Sequence, residues 1–419
     1  MVATLMIGQL KANGRVQVGS LWYIVEDDHA TVTYEADNSS NYDTVRYVTI
    51  PASITLDGSE LAVTAIGDRA FAQSGGIKQI HIPRSVCSIG EDAFTSMPAF
   101  RQFTSDDNGP FTAVDDVLYY GQKLFKYPQA KTGILTIPSG ITQVVDKACA
   151  GANVTEVRCG QDLLWIGREA FAACYLLHKI VLDDNLLGIK EFAFQGCSEL
   201  TGTLHIPASL RELADNAIYD TQFDSIIVDG WNNQFDSRDG VMTNKSGRQI
   251  IHFPNARTHY DFPADITSIG SHAFHSSSLT GEVVLPEHLS TIEASAFSGS
   301  DQITSFVLDA NLTSIGNNAF DWCKALQSIT CLATLSPECG SDVFLGVDKS
   351  IPLYVPEEAL NDYRTAPIWS EFSNIQPIST EGIENVQRDD VQSTKVLRDG
   401  VLLIERNGRT YNAQGQTVR

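Results

Sequence analysis

A solenoid of about twelve coils of 23 residues is the fold class this sequence predicts, and three observations predict it. The first is a phrase, Ile-Gly-x-x-Ala-Phe, whose full or near-full copies lie at 66–71, 89–94, 166–171, 189–194, 269–274, 292–297 and 315–320, with weaker copies placing Cys149, Ile218 and Phe344 in the Phe slot. Successive slots are 23, 55, 22, 23, 24, 56, 23, 23 and 24 residues apart. A fixed period in this range marks a chain whose units bury their apolar faces only against their neighbours. The second is a phrase between the slots, Leu-x-x-Ile-x-Ile-Pro, seen at 77–83, degenerate at 177–182, and with one extra residue at 200–207 and 279–286. Its Ile-x-Ile alternation is the period of a strand with one buried face, and proline, which cannot donate to a ladder, ends it. The third is that the two doubled intervals each contain two apolar runs around a Gly-containing turn, at 111–128 and 235–254.

One unit therefore reads as a strand, a turn, a short second strand at the Ile-Gly pair, and a short helical turn that points its Phe inward. The runs at 111–128 and 235–254 read as β-hairpins. Val117 lies 23 residues after Phe94 and Val241 lies 23 after Ile218, so each hairpin is expected to replace the helical turn of one unit. At about 4.8 Å between strands, twelve coils give a sheet about 55–60 Å long.

Solenoid ends need caps, because a terminal unit exposes an apolar face. The alternating stretches 20–25 and 30–34 fall in a β cap expected over 13–65, followed by the repeats at 66–350. A cap at 351–378 is expected to combine a strand at 352–356 with a short amphipathic helix anchored by Tyr363, Trp369 and Phe372. Residues 379–394 are polar and aperiodic, as in a linker. Residues 395–419 read as a β-module of three short strands with Asp-Gly and Asn-Gly turns. Residues 1–12 are apolar up to Lys11 and read either as the tail of a signal peptide or as an ordinary N-terminus.

The combined pattern, Leu-x-x-Ile-x-Ile-Pro followed by Ile-Gly-x-x-Ala-Phe-x-x-Cys, resembles the BspA-type leucine-rich repeat over roughly residues 45–375. The chain lacks the Asn that caps each strand turn in commoner leucine-rich repeats, and the inward Phe column and the Pro are expected to stand in its place. The resemblance implies a surface or secreted bacterial protein of a kind known in Bacteroidota, several members being adhesins. It also implies that hairpin inserts are ordinary variants. The segment 395–419 resembles a short form of the C-terminal β-module of Bacteroidota secreted proteins, with a sorting signal and a small accessory module as the two readings.

Asp plus Glu number 51 against 29 Lys plus Arg, a net charge of −22, which repels nucleic acid and anionic membrane surfaces. No apolar run reaches membrane-spanning length. Eight cysteines would suggest disulfides in a secreted protein, but Cys174, Cys197 and Cys323 each lie three residues after a Phe slot, where they read as small internal hydrophobes. Free thiols are therefore expected, with Cys174–Cys197 and Cys331–Cys339 as the pairs that could bridge. His272 and His275 flank Phe274 without a third ligand, and the acid-rich loops at 105–109 and 236–240 lack the alternation of a calcium loop. No cofactor, metal or catalytic residue is expected. Four Asn-x-Ser/Thr triplets, at Asn38, Asn153, Asn244 and Asn311, match what chance gives in a Ser/Thr-rich chain.

What remains is the outward face of the strands. Its central row holds His81, Thr104, Arg158, Val181, His205, Ile227, Val284, Val307 and Thr330, with Thr136 and Asp261 on the coils after the hairpins. Arg158, Val181, His205, Ile227, Val284 and Val307 form the candidate binding face, the row turning apolar toward the C-terminal half. Two functions fit: a non-enzymatic, adhesin-like binding protein that contacts an extracellular protein or glycan of host or bacterium, or a structural scaffold of an envelope assembly.

Overall fold

The computed structural model describes residues 14–26, 28–34 and 42–378, together with the strand backbones 393–398, 401–406, 409–412 and 417–418. The expected signal-peptide tail at 1–12 lies outside the described residues. Each coil carries a front strand such as Gln79–Ile82, a turn at the proline, a two-residue second strand such as Ser88–Ile89, and a return through the Ala-Phe phrase. Front strands pair in parallel with front strands and second strands with second strands. Inward Ile80 and Ile82 are buried, while Gln79 and His81 between them face outward.

The return segment is not the helical turn that the sequence suggests. It is a ribbon of consecutive tight turns: the amides of Ala70, Ala72 and Ser74 donate to the carbonyls of Gly67, Arg69 and Phe71 within the coil. The alternate amides of Arg69, Phe71 and Gln73 donate at 2.8–2.9 Å to Glu91, Ala93 and Thr95 of the next coil. Half of the turn's donors thus close the turn and half build a ladder between coils. The geometry requires a left-handed residue two positions before and two after the Phe slot, as at Arg69 (φ 54°) and Gln73 (φ 61°), or Asp92 (φ 53°) and Ser96 (φ 57°). This backbone ladder does the work of the missing Asn. The Gly after the second strand permits close stacking: a Cβ on Gly90 would lie 2.4 Å from the Asp68 nitrogen.

Phe71, Phe94, Phe171, Phe194, Phe274, Phe297 and Phe320 are all buried, and neighbouring rings stack, Phe297 on Phe320 at 5.5 Å and 3°. The hydrogen-bond ladder corrects the reading of the two hairpins. The amide of Tyr127 donates to Ala148 as that of Cys149 does to Ala170, and Phe253 donates to Ala273 as Phe274 does to Ala296. Tyr127 and Phe253 therefore occupy the Phe slots, and the hairpins are inserted ahead of the second strand instead of replacing the turn. Twelve slots result, and with Tyr42 on Phe71 and Trp369 on Phe344 closing the column the stack has about fourteen turns.

Each insert is a meander of three strands, not two. Phe111–Val114, Val117–Tyr120 and Lys123–Lys126 are antiparallel, and the third then pairs in parallel with Gln143–Val144. Phe235–Arg238, Val241–Asn244 and Gln249–His252 repeat the arrangement and lead into Ser268–Ile269. The N-terminal strands Arg15–Val18, Leu21–Val25 and His29–Thr33 are built alike, the third pairing in parallel with Ser59–Ile66. Each meander thus opens a new second-strand ladder. The core divides accordingly into three clusters, spanning residues 16–118, 117–242 and 241–372. The inserts thus share the strand arrangement of the N-terminal cap.

At the C-terminal end, Leu353–Val355 and Ile375–Pro377 extend the front sheet, and the helix Leu360–Thr365 covers the last coil. Tyr363, Trp369 and Phe372 are buried there, the Trp369 indole donating to the Pro337 carbonyl at 2.9 Å. Beyond it, four strands, Ser393–Arg398, Val401–Arg406, Arg409–Asn412 and Thr417–Val418, form an antiparallel sheet, one strand more than expected. The expected linker falls largely, at 379–392, outside the described residues.

All eight cysteines are free, including the two pairs open to bridging. Cys174, Cys197 and Cys323 are more than fillers: each thiol donates at 3.1–3.2 Å to the slot carbonyl of the preceding coil, Cys149, Phe171 and Phe297 respectively. Ser300 makes the same bond to Phe274 at 2.7 Å, which explains why Ser and Cys exchange at this position. Burial pushes the thiol of Cys149 far up and those of Cys159, Cys323 and Cys339 up to about 12, while the thiol of Cys197 is pushed far up first by its hydrogen bond with Cys174 and then by burial. In the native protein a thiol reagent should therefore label the exposed Cys87 rapidly and the buried Cys149, Cys174, Cys197, Cys323 and Cys331 only after unfolding. Rapid native labelling of Cys174 or Cys323 would contradict this packing.

Candidate binding face and the two seams

The candidate face is built by the parallel pairing. Arg158 lies beside Val181, His205 beside Ile227, and Val284 beside Val307, each pair in direct register on adjacent strands. Val181, Ile227 and Val284 are 44%, 45% and 54% exposed; His205 and Arg158 are exposed, and Val307 is half-buried between its neighbours. The six residues do not form one continuous strip. Val181 and His205 lie on strands that are not paired, and between Ile227 and Val284 come the second meander and a stretch, 258–262, with no strand. Asp261 sits on that stretch, exposed and 3.2 Å from His259.

Chemistry divides the face in two. In the middle block Arg158 bonds Glu156 at 2.8 Å and Lys179 approaches the same carboxylate at 3.6 Å. The hydrogen bond from Arg158, first, and its charge hold the Glu156 carboxyl below the usual carboxylate range. Arg158 is thus committed to an ion pair. In the C-terminal block the row runs Val284, Val307, Thr330, Tyr354 on four consecutively paired strands, uninterrupted by charge. Tyr354 belongs to this row and was not among the sequence candidates, because it sits in the cap. Ile134, 53% exposed and paired with Glu156, and Tyr47, 69% exposed, also face outward. Both lie on strands next to a meander or cap, where the repeat phrase is incomplete.

The seams carry the other concentrations of functional groups, and they have one origin. In a regular coil five residues separate the second strand from the slot, Val144 to Cys149, but in the meander coils only three, Leu124 to Tyr127 and Ile250 to Phe253. The turn ribbon is two residues short, the ladder is interrupted, and the flanking coils meet across the short one. At the first seam Lys147 reaches Asp92 at 3.3 Å. At the second the Tyr219 ring stacks on His275 at 3.9 Å and meets His272 edge-on at 5.3 Å.

His272 and His275 are therefore joined by a third histidine, His252, in lining the second seam, where a small cavity has room for about one water. Nε2 of His252 and Nδ1 of His272 and His275 have no hydrogen-bond partner among the described residues, and burial lowers His252 and His275 to about 4. Among the described residues no group of three His, Cys, Asp or Glu is placed to hold a metal. No helix among the described residues is long and apolar enough to cross a membrane.

The BspA-type leucine-rich repeat region, in six copies, matches residues 50–123, 119–238 and 254–359. A leucine-rich cell surface protein of Faecalibacterium prausnitzii is 21% identical, with a TM-score of 0.53, over 88% of this chain and 96% of its own. The pneumococcal vaccine antigen PcpA is 19% identical with a TM-score of 0.48, over 87% of this chain and 98% of its own. A leucine-rich repeat protein of Bacteroides ovatus is 17% identical with a TM-score of 0.39, over 87% of this chain and 99% of its own. No curated protein matches the chain. At these identities the first likeness speaks for the fold alone.

Proposed function

Because the chain belongs to the BspA-type leucine-rich repeat family, generally a family of non-enzymatic repeat proteins, we propose that it is a secreted or outer-surface binding protein that engages an extracellular protein or glycan through its outward strand face. The observation that carries this reading is the unbroken row Val284, Val307, Thr330 and Tyr354 in the C-terminal block. An apolar strip on an otherwise acidic surface lowers solubility, and its retention on adjacent strands suits a contact surface. Strand propensity favours valine at such positions without any ligand, and that is the basis of the alternative, a scaffold within an envelope assembly.

The test is capture of host extracellular proteins together with a glycan array, run on the native chain and on Val284→Glu/Val307→Glu. Both side chains point away from the core, so the double variant should keep its melting temperature within a few degrees while losing ligand capture. Unchanged capture would make the face a scaffold and shift attention to the meanders at 111–128 and 235–254, where Val114 and Tyr120 are exposed.

A further inference from the structure

The first seam leaves a cleft of about 370 Å³ between the Phe94 coil and the coils of Tyr127 and Cys149, at the lower end of the range of small-molecule sites. Its walls are the turn ribbon 89–95, Phe125 and Lys126 of the short coil, and the segments 145–147 and 168–169. The second seam shows why this one is open. There the residues following the slots, Tyr219 and His275, fill the equivalent space with stacked rings. At the first seam the same two positions are Thr95 and Ala150.

The donors in the cleft are unsatisfied in a specific way. Across uninterrupted steps the amides at the slot and two residues before it donate to the next coil, as Arg69 and Phe71 do to Glu91 and Ala93. The equivalent amides of Asp92 and Phe94, which face the interrupted step, donate to no carbonyl among the described residues. Four carboxylates, of Glu91, Asp92, Asp146 and Glu169, share the walls with three cations, and the cations differ from one another. Arg168 is paired with Glu169 at 3.1 Å and Lys147 with Asp92 at 3.3 Å. Lys126 has no carboxylate within ion-pair distance among the described residues, and its ammonium donates to the Lys147 carbonyl at 2.9 Å. Burial, the largest effect, holds the Lys126 ammonium below the ordinary lysine range although the nearby Asp92 charge acts the other way, so a bound anion would recover part of that desolvation cost.

We propose that the cleft between the Phe94 and Cys149 coils is a binding site for a carboxylate-bearing small molecule of sugar size, its carboxylate held by Lys126 and the amides of Asp92 and Phe94 and its ring against Phe125. A carboxylate accepts from several donors at once, which suits one ammonium and two backbone amides, and charge-assisted bonds of this kind are the strong ones. The site lies on the side of the coil formed by second strands and turn ribbons, so it does not depend on the front face binding anything.

The experiment is calorimetric titration of the full chain with glucuronate, acetate, glucose and inorganic phosphate. Glucuronate should bind, acetate more weakly, and glucose and phosphate not measurably. Lys126→Met should weaken glucuronate by about tenfold or more. Thr95→Tyr, which copies the plug of the second seam, should abolish binding while thermal unfolding stays cooperative. No binding of glucuronate, equal binding of glucose or phosphate, or glucuronate affinity unchanged in both variants would each overturn the assignment.

Discussion

Replacing Phe297 by Ala should destabilise the C-terminal block by about 3–5 kcal/mol, the range for truncating a fully buried aromatic side chain. Phe297 has no exposed surface and is held on three sides: by Phe274 at 4.8 Å, by Phe320 at 5.5 Å and by the edge of Phe306 at 5.1 Å. Each ring pair adds about 0.5–1.5 kcal/mol beyond burial, and the stack loses all three contacts at once. The coils above and below cannot collapse into the gap, because their spacing is fixed by the turn ladder through Phe297 to Ala319. In a solenoid the loss is felt by nearest neighbours. Hydrogen exchange should therefore show protection falling across residues 241–372 and kept across 117–242, since these are separate core clusters. Trp322→Ala, at a half-exposed ring on the next coil, is the control and should cost far less. A loss below about 1 kcal/mol for Phe297→Ala would refute the column as the main source of cohesion.

Acid should loosen the second seam. Burial lowers His252 and His275 from 6.5 to about 4, with the neighbouring His272 lowering His275 further; one hydrogen bond to the Ala214 backbone works the other way on His252. A histidine depressed in the folded state is neutral in both states above pH 6.5, so its stabilising effect is complete there. As the pH falls from 6.5 toward 4 the unfolded chain takes up the proton first, and stability is lost across that window. For His252 alone the full loss is about 3 kcal/mol. Other groups at the seam temper the lower end. Asp215 and Asp220, raised by burial, favour the folded state as they protonate, and Asp215 and Asp321 oppose the lowering of His272. Tyr219 stays neutral throughout, its hydroxyl pushed up by burial, and Glu293 acts on the seam through its charge on Asp215. Urea unfolding near pH 7.5 and near pH 5 should show the C-terminal block losing stability in acid. His252→Leu should flatten that dependence, and an unchanged slope in the variant would rule His252 out as its source.

The sequence by itself determined the coil and its inward column. Period and alternation are local properties: an Ile-x-Ile strand and a Phe every 23 residues leave a repeating chain only one way to bury them. The outward row was legible for the same reason, since inward positions fix outward ones in a period-two strand. What the sequence did not show was how the return segment is built, because alternate left-handed residues such as Arg69, Asp92 and Phe192 carry no side-chain signature. Their conformation is imposed by bonds to the next coil.

Only the tertiary structure decided the seams. Tyr127 and Phe253 are invisible as slots because two of the four residues of the Gly-x-x-Ala phrase are missing, and each is followed by proline. Whether a shortened turn leaves an open cleft or a plugged one depends on residues 55 to 56 positions apart, Asp92 with Lys147 and Tyr219 with His275. Such pairs meet only because the intervening coil is short, and a contact made across a coil leaves no trace in a pattern read from one coil to the next.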